Sequence, residues 1–157
     1  MSNARDNNPL WRFSLDVYAA PGVSSECLDL QDRHGLDVNI LLFVVWLGVA
    51  RGLTVSPAHL EQLNATVTEW QRDVVCPVRA VRRRVKSLGR SDLYEEIKTL
   101  ELKLEWAEQS MLFALASVLD GQKTTSNNAV AANASLYAAS KGAPAPRALI
   151  AAAVSRV

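Results

Sequence analysis

One short stretch of the chain concentrates side chains that can bind a ligand or carry a proton. It reads Gln31-Asp32-Arg33-His34-Gly35-Leu36-Asp37-Val38-Asn39. Where such a stretch leads into a helix, the first backbone amides of that helix attract anions, and cationic side chains strengthen the effect. The sequence therefore suggests a pocket for a carboxylate or phosphate. Its expected ligand-binding residues are Asp32, Arg33, His34, Asp37 and Asn39, with Trp11 and Tyr18 as walls.

A simpler interpretation of the same stretch is that it ends one helix and begins the next. Gly35 is suited to the left-handed residue after a helix, and Asp37 is a favoured N-cap. His34 near a helix end more often complements the helix dipole than acts as a base. Because no nucleophile stands beside a base, the sequence predicts no catalytic residue and favours a protein that is not an enzyme.

Two cysteines and two histidines match a tetrahedral zinc site in number but not in spacing. Structural zinc sites bring their ligands in close pairs, and these four residues form no such pairs. We therefore expect no metal and no cofactor, and we expect both cysteines to be reduced and packed. The four residues are Cys27, His34, His59 and Cys76.

A basic stripe follows later in the chain, formed by Arg79, Arg82, Arg83 and Lys86. A basic amphipathic helix can bind nucleic acid or anionic lipid. The next helix is rich in Asp and Glu, however, so neutralisation by ion pairs is the simpler account. The whole chain has 17 basic and 16 acidic residues and a net charge of +1, which creates no global field for an anionic partner.

The element that must position these residues is an apolar stretch that reads Val38-Asn39-Ile40-Leu41-Leu42-Phe43-Val44-Val45-Trp46-Leu47-Gly48-Val49-Ala50. A helix that is apolar on all sides needs neighbours on most of them. As a helix it would be about 20 Å long, which is shorter than the roughly 30 Å of a bilayer core. We expect a buried central helix over about 38–51. The polar N-terminus lacks a signal-peptide core, which favours a cytoplasmic protein with no membrane span.

Two further apolar patterns predict a long antiparallel helical hairpin over about 57–88 and 92–119. In the first arm, Pro77 removes a backbone hydrogen bond, so we expect a kink or break around residues 74–76. The second arm carries an apolar seam with heptad-like spacing, which packs against the central helix or instead contacts a partner or a second copy. The fold class is therefore all-α, a helical bundle around the central helix. The seam consists of Leu93, Ile97, Leu100, Leu104, Ala107, Met111, Ala114 and Val118.

The composition changes near residue 121, where a polar linker leads into an Ala-rich segment. Small side chains offer little area to bury. We therefore expect a helical bundle domain over 9–120 and a loosely held extension over 121–157 with short helices or disorder.

Several motifs in the first half of the chain resemble a family of small bacterial proteins, chiefly proteobacterial, of unknown function. They are Trp11-x-Phe13, Tyr18, Pro21-Gly22-Val23, Leu30-Gln31-Asp32-Arg33-His34-Gly35-Leu36-Asp37-Val38-Asn39-Ile40-Leu41-Leu42-Phe43, Trp70 and Pro77-Val78-Arg79-Ala80-Val81-Arg82-Arg83. The resemblance implies a soluble helical protein over roughly residues 9–88 and, more weakly, to about 119. It implies no catalytic or binding residues.

These patterns favour a non-enzymatic helical protein that acts through protein contacts, as an adaptor or accessory subunit or as a homo-oligomer. Two alternatives remain open. One is a small-molecule or anion-binding protein, or an enzyme, with its pocket at the start of the central helix. The other is a protein that binds nucleic acid or an anionic surface through the basic stripe.

Overall fold

The computed structural model describes residues 7–157 and has the predicted all-α architecture. Within these residues, β-type backbone pairing is limited to an isolated antiparallel β-bridge between Leu53 and Lys123. The polar segment at residues 1–6 lies outside the described part of the chain. The helices are α1 (Pro9–Tyr18), α2 (Val23–His34), α3 (Val38–Arg51), α4 (Pro57–Trp70), a π-helical segment (Gln71–Val75), α5 (Cys76–Ser87), α6 (Ser91–Leu115), α7 (Ser126–Ser140) and α8 (Arg147–Val154).

Helix α3 is the predicted central helix, and α1, α2, α6, α7 and α8 pack against it. The Asp37 side chain caps it by accepting from the backbone N–H of Asn39 at 2.9 Å, and Gly52 ends it in the left-handed region. Phe43 is completely buried, and the half-buried Trp46 stacks between Phe43 and Phe113. Within residues 7–157, no helix is both long and apolar enough to cross a bilayer.

The kink predicted from Pro77 takes the form of the π-helical segment between α4 and α5. The backbone N–H of Cys76 donates to the carbonyl of Gln71, five residues earlier. Pro77 has no N–H to donate to the carbonyl of Asp73, so the regular α-helical pattern cannot continue through this position. The wider turn lets the helical path continue into α5 and then fold back into the antiparallel α6.

The apolar seam of α6 is covered only in part, and the alternative that it contacts a partner or a second copy stays a prediction. None of its residues is fully buried, and Leu93, Leu100 and Val118 are exposed. The buried face of α6 is mostly polar, because it meets the arginines of α5 and the amides of neighbouring helices. Its buried residues are Glu101, Glu108, Gln109 and Leu112.

The Ala-rich segment also differs from the expectation of a loosely held extension. Helix α7 packs along α3 so closely that a Cβ at Gly48 would lie 2.7 Å from the backbone nitrogen of Val130. Small side chains permit this approach, and the area that they lack individually is recovered by close contact along the whole helix. The side chain of Asn133 strengthens the contact: it donates to the carbonyls of Val44 and Leu53.

Helix α8 packs against the first two helices. Its N-terminal amides at Ala148 and Leu149 donate to the carboxylate of Glu26, each at 3.0 Å. This capping satisfies backbone donors that would otherwise lack a partner at the start of a short helix. The end of the chain is therefore fixed to α2, beside the helices that frame the site described next.

Candidate functional site

A cavity of about 160 Å³ opens between α1, α2, α5 and α6, above the start of α3. Its rim is apolar and exposed: Leu15, Leu28 and Leu102 contribute one side chain each from three different helices. Its deeper lining combines apolar side chains, among them Trp11 and Leu42, with a larger number of polar ones. The polar residues include Ser14, Gln31, Asp37, Asn39, Gln71, Arg79, Arg82, Glu101, Glu105 and Gln109.

A buried carboxyl group lies directly behind this polar lining. Glu108 is 0% exposed, and its Oε2 accepts a hydrogen bond from Asn39 Nδ2 at 2.9 Å and another from Gln71 Nε2. Burial, together with hydrogen bonding to and repulsion from the Asp37 carboxylate, raises the pKa of Glu108 from 4.5 to about 10. Glu108 is therefore protonated at neutral pH.

The proton of Glu108 explains why the second oxygen of its carboxyl group receives no hydrogen bond. Oε1 is buried, and no N–H or O–H donates to it. A protonated oxygen needs an acceptor rather than a donor, and the Asp37 side chain supplies that acceptor. The Asp37 side chain and the protonated Glu108 thus form an acid pair next to the N-terminus of α3.

A chain of neutral side chains orients Asn39. Gln109 Nε2 donates to Asn39 Oδ1 and to Ser14 Oγ, each at 3.0 Å, and Ser14 Oγ also lies 2.9 Å from the carbonyl of Leu10. Because the amide oxygen of Asn39 is occupied by Gln109, its amide nitrogen is directed to Glu108. The chain thereby links α1, α3 and α6 beneath the cavity.

The two arginines in the cavity wall are occupied by glutamates of α6. Arg79 pairs with Glu101 and with Glu105, both at 3.0 Å, and Arg82 also donates to Glu101. Burial raises the pKa of Glu105, opposed by the charge of Arg79. Burial likewise raises the pKa of Tyr18, which lines the same wall, to about 12. The arginines therefore balance protein carboxylates.

One residue reaches the site from the Ala-rich segment. The backbone N–H of Asp37 donates to the hydroxyl oxygen of Tyr137 at 3.0 Å, and Tyr137 is completely buried. Burial and the nearby Asp37 carboxylate raise the pKa of Tyr137, so it stays neutral. Helix α7 is thus connected to the acid pair.

Residues 9–112 match a protein family of unknown function, DUF2390. The chain belongs to the DUF2390 family. No curated protein and no solved structure gives a match. The matched range contains every residue that lines the cavity, from Trp11 to Gln109, whereas Tyr137 lies beyond it.

The structure of this DUF2390 protein brings together four of the seven residues predicted for a pocket. Trp11, Tyr18, Asp37 and Asn39 line the cavity. The other three residues are not part of its lining. Asp32 pairs with Arg83 in a shallow groove on the other side of Asp37, Arg33 pairs with Asp29 along α2, and His34 is the last residue of α2.

The basic stripe does not form one exposed cationic face in this DUF2390 protein. Arg79 and Arg82 point into the cavity wall, and Arg83 pairs with Asp32 at 3.0 Å. The ammonium group of Lys86 lies over the ring of Tyr94, 5.5 Å from its centre. The acidic residues that were expected to neutralise the stripe include Glu101 and Glu105.

The described residues contain no cluster of three or more histidine, cysteine, aspartate or glutamate side chains arranged to hold a metal ion. Both cysteines are free. Cys27 is buried, and its burial raises the pKa of the thiol to about 12. Cys76 is exposed, contrary to the expectation that both are packed, and it lines the groove on the other side of Asp37.

The most important site residues of this DUF2390 protein were missed in the sequence. They are Ser14, Gln71, Glu101, Glu105, Glu108 and Gln109. The glutamates occupy positions 101, 105 and 108, and Leu112 continues the same spacing of four, three and four. That spacing identifies one helix face, and a face of acids that ends in a buried leucine is the signal that could have revealed it.

Proposed function

We propose that this protein binds a small amphipathic molecule in the cavity between α1, α2, α5 and α6. The observation that carries the proposal is the combination of an exposed leucine rim with a polar interior in one concave site. Ligand sites typically combine apolar walls with a few polar groups that fix orientation. The buried network under the cavity keeps that polar interior in place.

The contacts favour a different ligand from the anion suggested by the sequence. The first amides of α3 are capped by Asp37, so they are not free to bind a phosphate. Arg79 and Arg82 are paired with glutamates, so their charges are already compensated. An anion would also approach the Asp37 carboxylate, which the cavity exposes.

Binding without catalysis is the function that these contacts support best. Glu108, the protonated acid, does not line the cavity and is separated from it by Asn39 and Gln71. A general acid must come within hydrogen-bond distance of the reacting group. We therefore describe the protein as a ligand-binding protein of bacterial cytoplasm rather than an enzyme.

A second candidate function is a protein contact through the outer end of the α5–α6 hairpin. Exposed apolar side chains gather there, and Leu88 is 58% exposed. This favours an adaptor role or contact with a second copy. It is a weaker candidate than ligand binding, because those side chains form no concave site. The group consists of Val81, Leu88, Leu93 and Leu100.

The test of ligand binding uses a substitution that closes the mouth of the cavity. A library of small amphipathic compounds is screened by ligand-observed NMR against the wild type, Leu28→Trp and Leu88→Trp. Leu28 lies on the rim, whereas Leu88 is a comparably exposed leucine outside it. We expect compounds that bind the wild type and Leu88→Trp but lose binding to Leu28→Trp. Equal binding to all three proteins would contradict the proposal.

A further inference from the structure

The polar interior of the cavity has a net negative character. Among residues 7–157, no lysine or arginine forms an ion pair with Asp37 or Glu108. The two arginines nearby are shared between Glu101 and Glu105. The carboxylate of Asp37 therefore faces the cavity without a cationic partner.

Glu108 adds a second, hidden carboxyl group to this interior. It is fully buried, and its Oε1 receives no hydrogen bond from a donor. Burial first of all, and then the neighbouring Asp37 carboxylate, raise the pKa of this group and favour its neutral form. A positive charge beside Asp37 would favour the ionised form of Glu108, so that its proton can be exchanged for another cation.

Taking the cavity as the ligand site proposed above, we infer that its ligand is an amphipathic ammonium ion. The ammonium group lies against Asp37, and the apolar body lies between Leu28 and Leu102 on the rim. An ammonium group supplies three donors and no acceptor, which suits carboxylate and amide oxygens. This specifies the ligand class of the proposed function.

Binding is coupled to the release of one proton from Glu108. The O–H bond of Glu108 breaks and its proton passes to water, while the ammonium charge replaces it next to Asp37. Before binding, the Asp37 carboxylate and the neutral Glu108 carry a total charge of minus one. After binding, the two carboxylates and the ammonium ion carry the same total charge. Gln71, which donates to Glu108, lines both the cavity and the groove, so a single side chain separates Glu108 from solvent on the side that the ligand does not occupy.

The other ionisable groups around the pair do not provide an alternative source of this proton. Tyr18 and Tyr137 both stay protonated near neutral pH, because burial raises the pKa of each. The remaining charged groups that line the cavity are Arg79 and Arg82 on α5 and Glu101 and Glu105 on α6. The two arginines form ion pairs with the two glutamates.

The size of the cavity sets the size of the probe. Its volume of about 160 Å³ is close to the roughly 150 Å³ of an engineered cavity that holds benzene. A single aromatic ring therefore fills it, and a short arm can carry the charge. Benzylammonium is the probe, with benzyl alcohol as the neutral analogue and benzoate as the anionic one.

The experiment measures the binding of each probe to the full chain by calorimetry at pH 7. Two buffers with different ionisation enthalpies give the number of protons released. We expect benzylammonium to bind at least about tenfold more tightly than either analogue, with release approaching one proton. In Glu108→Gln, release should fall to zero and the preference for the ammonium probe should shrink. Glu96→Gln, an exposed change on the same helix, should behave like the wild type.

The outcomes separate this inference from the proposed function. If benzyl alcohol binds as tightly as benzylammonium and Leu28→Trp abolishes both, the cavity binds ligands and the ammonium inference is wrong. Tighter binding of benzoate, or proton release that persists in Glu108→Gln, also overturns the inference. If none of the three probes binds to the wild type, both the inference and the proposed function fail.

Discussion

Replacing Glu108 with glutamine should stabilise the protein at neutral pH. The unfolded chain ionises this glutamate at its ordinary pKa of 4.5, whereas burial beside Asp37 raises the folded-state pKa to about 10. Folding at pH 7 must therefore take up a proton. The interval between 4.5 and 7, at about 1.4 kcal/mol per pH unit, makes this uptake cost about 3.5 kcal/mol.

Glutamine removes this cost while keeping the contacts. Its amide N–H can donate to Asp37 as the protonated carboxyl does, and its carbonyl can accept from Asn39 and Gln71. We expect Glu108→Gln to be more stable than the wild type by about 2–3 kcal/mol at pH 7. Because the folded-state pKa of Glu108 is raised, the extra stability of Glu108→Gln over the wild type should vanish below about pH 4.5. It should grow as the pH rises, until the pH approaches the folded-state pKa.

Urea denaturation of both proteins at pH 4, 5.5, 7 and 8.5 measures this difference. The free energy of unfolding of the wild type should fall relative to that of the variant as pH rises. Glu96→Gln, on the exposed side of α6, serves as the control and should leave the pH profile unchanged. A difference between Glu108→Gln and the wild type that does not depend on pH would refute the protonated state of Glu108.

Three further predictions concern the contact of α7 with the rest of the bundle. Gly48→Ala should destabilise the protein by about 1–3 kcal/mol in urea denaturation, because its new Cβ would meet the backbone of Val130, which cannot move aside cheaply. Asn133→Ala should cost about 3 kcal/mol or more, since two buried carbonyls and the N–H of residue 55 lose their partner; the exposed Asn127→Ala should change little. Tyr137→Phe should cost about 1 kcal/mol and shift the amide resonance of Asp37 in an NMR spectrum, because that N–H loses its acceptor.

The helix boundaries could be predicted from the sequence because they depend on local chemistry. Asn8 and Asp37 cap the helices that follow them, and Gly35 and Gly52 end helices in the left-handed region. The disturbance before Pro77 follows equally directly from its missing N–H. Helix α2 is the exception: it starts at Val23 after Gly22, without a capping side chain, although Ser24 is a residue type that favours N-caps.

The burial of α6 could not be predicted, because it depends on partners far away in the chain. Leucines at heptad spacing predict a packed seam, yet the face with Glu101, Glu105 and Glu108 is the one that turns inward. Arg79 compensates the first two, and Asn39 with Gln71 accommodates the third. Only the spatial neighbours decide whether a polar face is buried.

The candidate site could be predicted only in part, because it also depends on partners far away in the chain. Asp37 and Asn39 were found because a polar run before an apolar helix marks a helix start. Arg33 and His34 belong to that run but lie in the last turn of α2 and do not line the cavity. Adjacency in sequence does not show on which side of a helix end a side chain lies.

The close approach of α7 to α3 has a consequence for relatives of this protein. The family match ends at residue 112, yet the side of α3 around Gly48 and Val44 is covered by a helix that begins at Ser126. A relative with a shorter chain would leave a strip of its innermost helix uncovered. It would have to bury that strip by associating with another polypeptide, so chain length and assembly state should vary together across relatives.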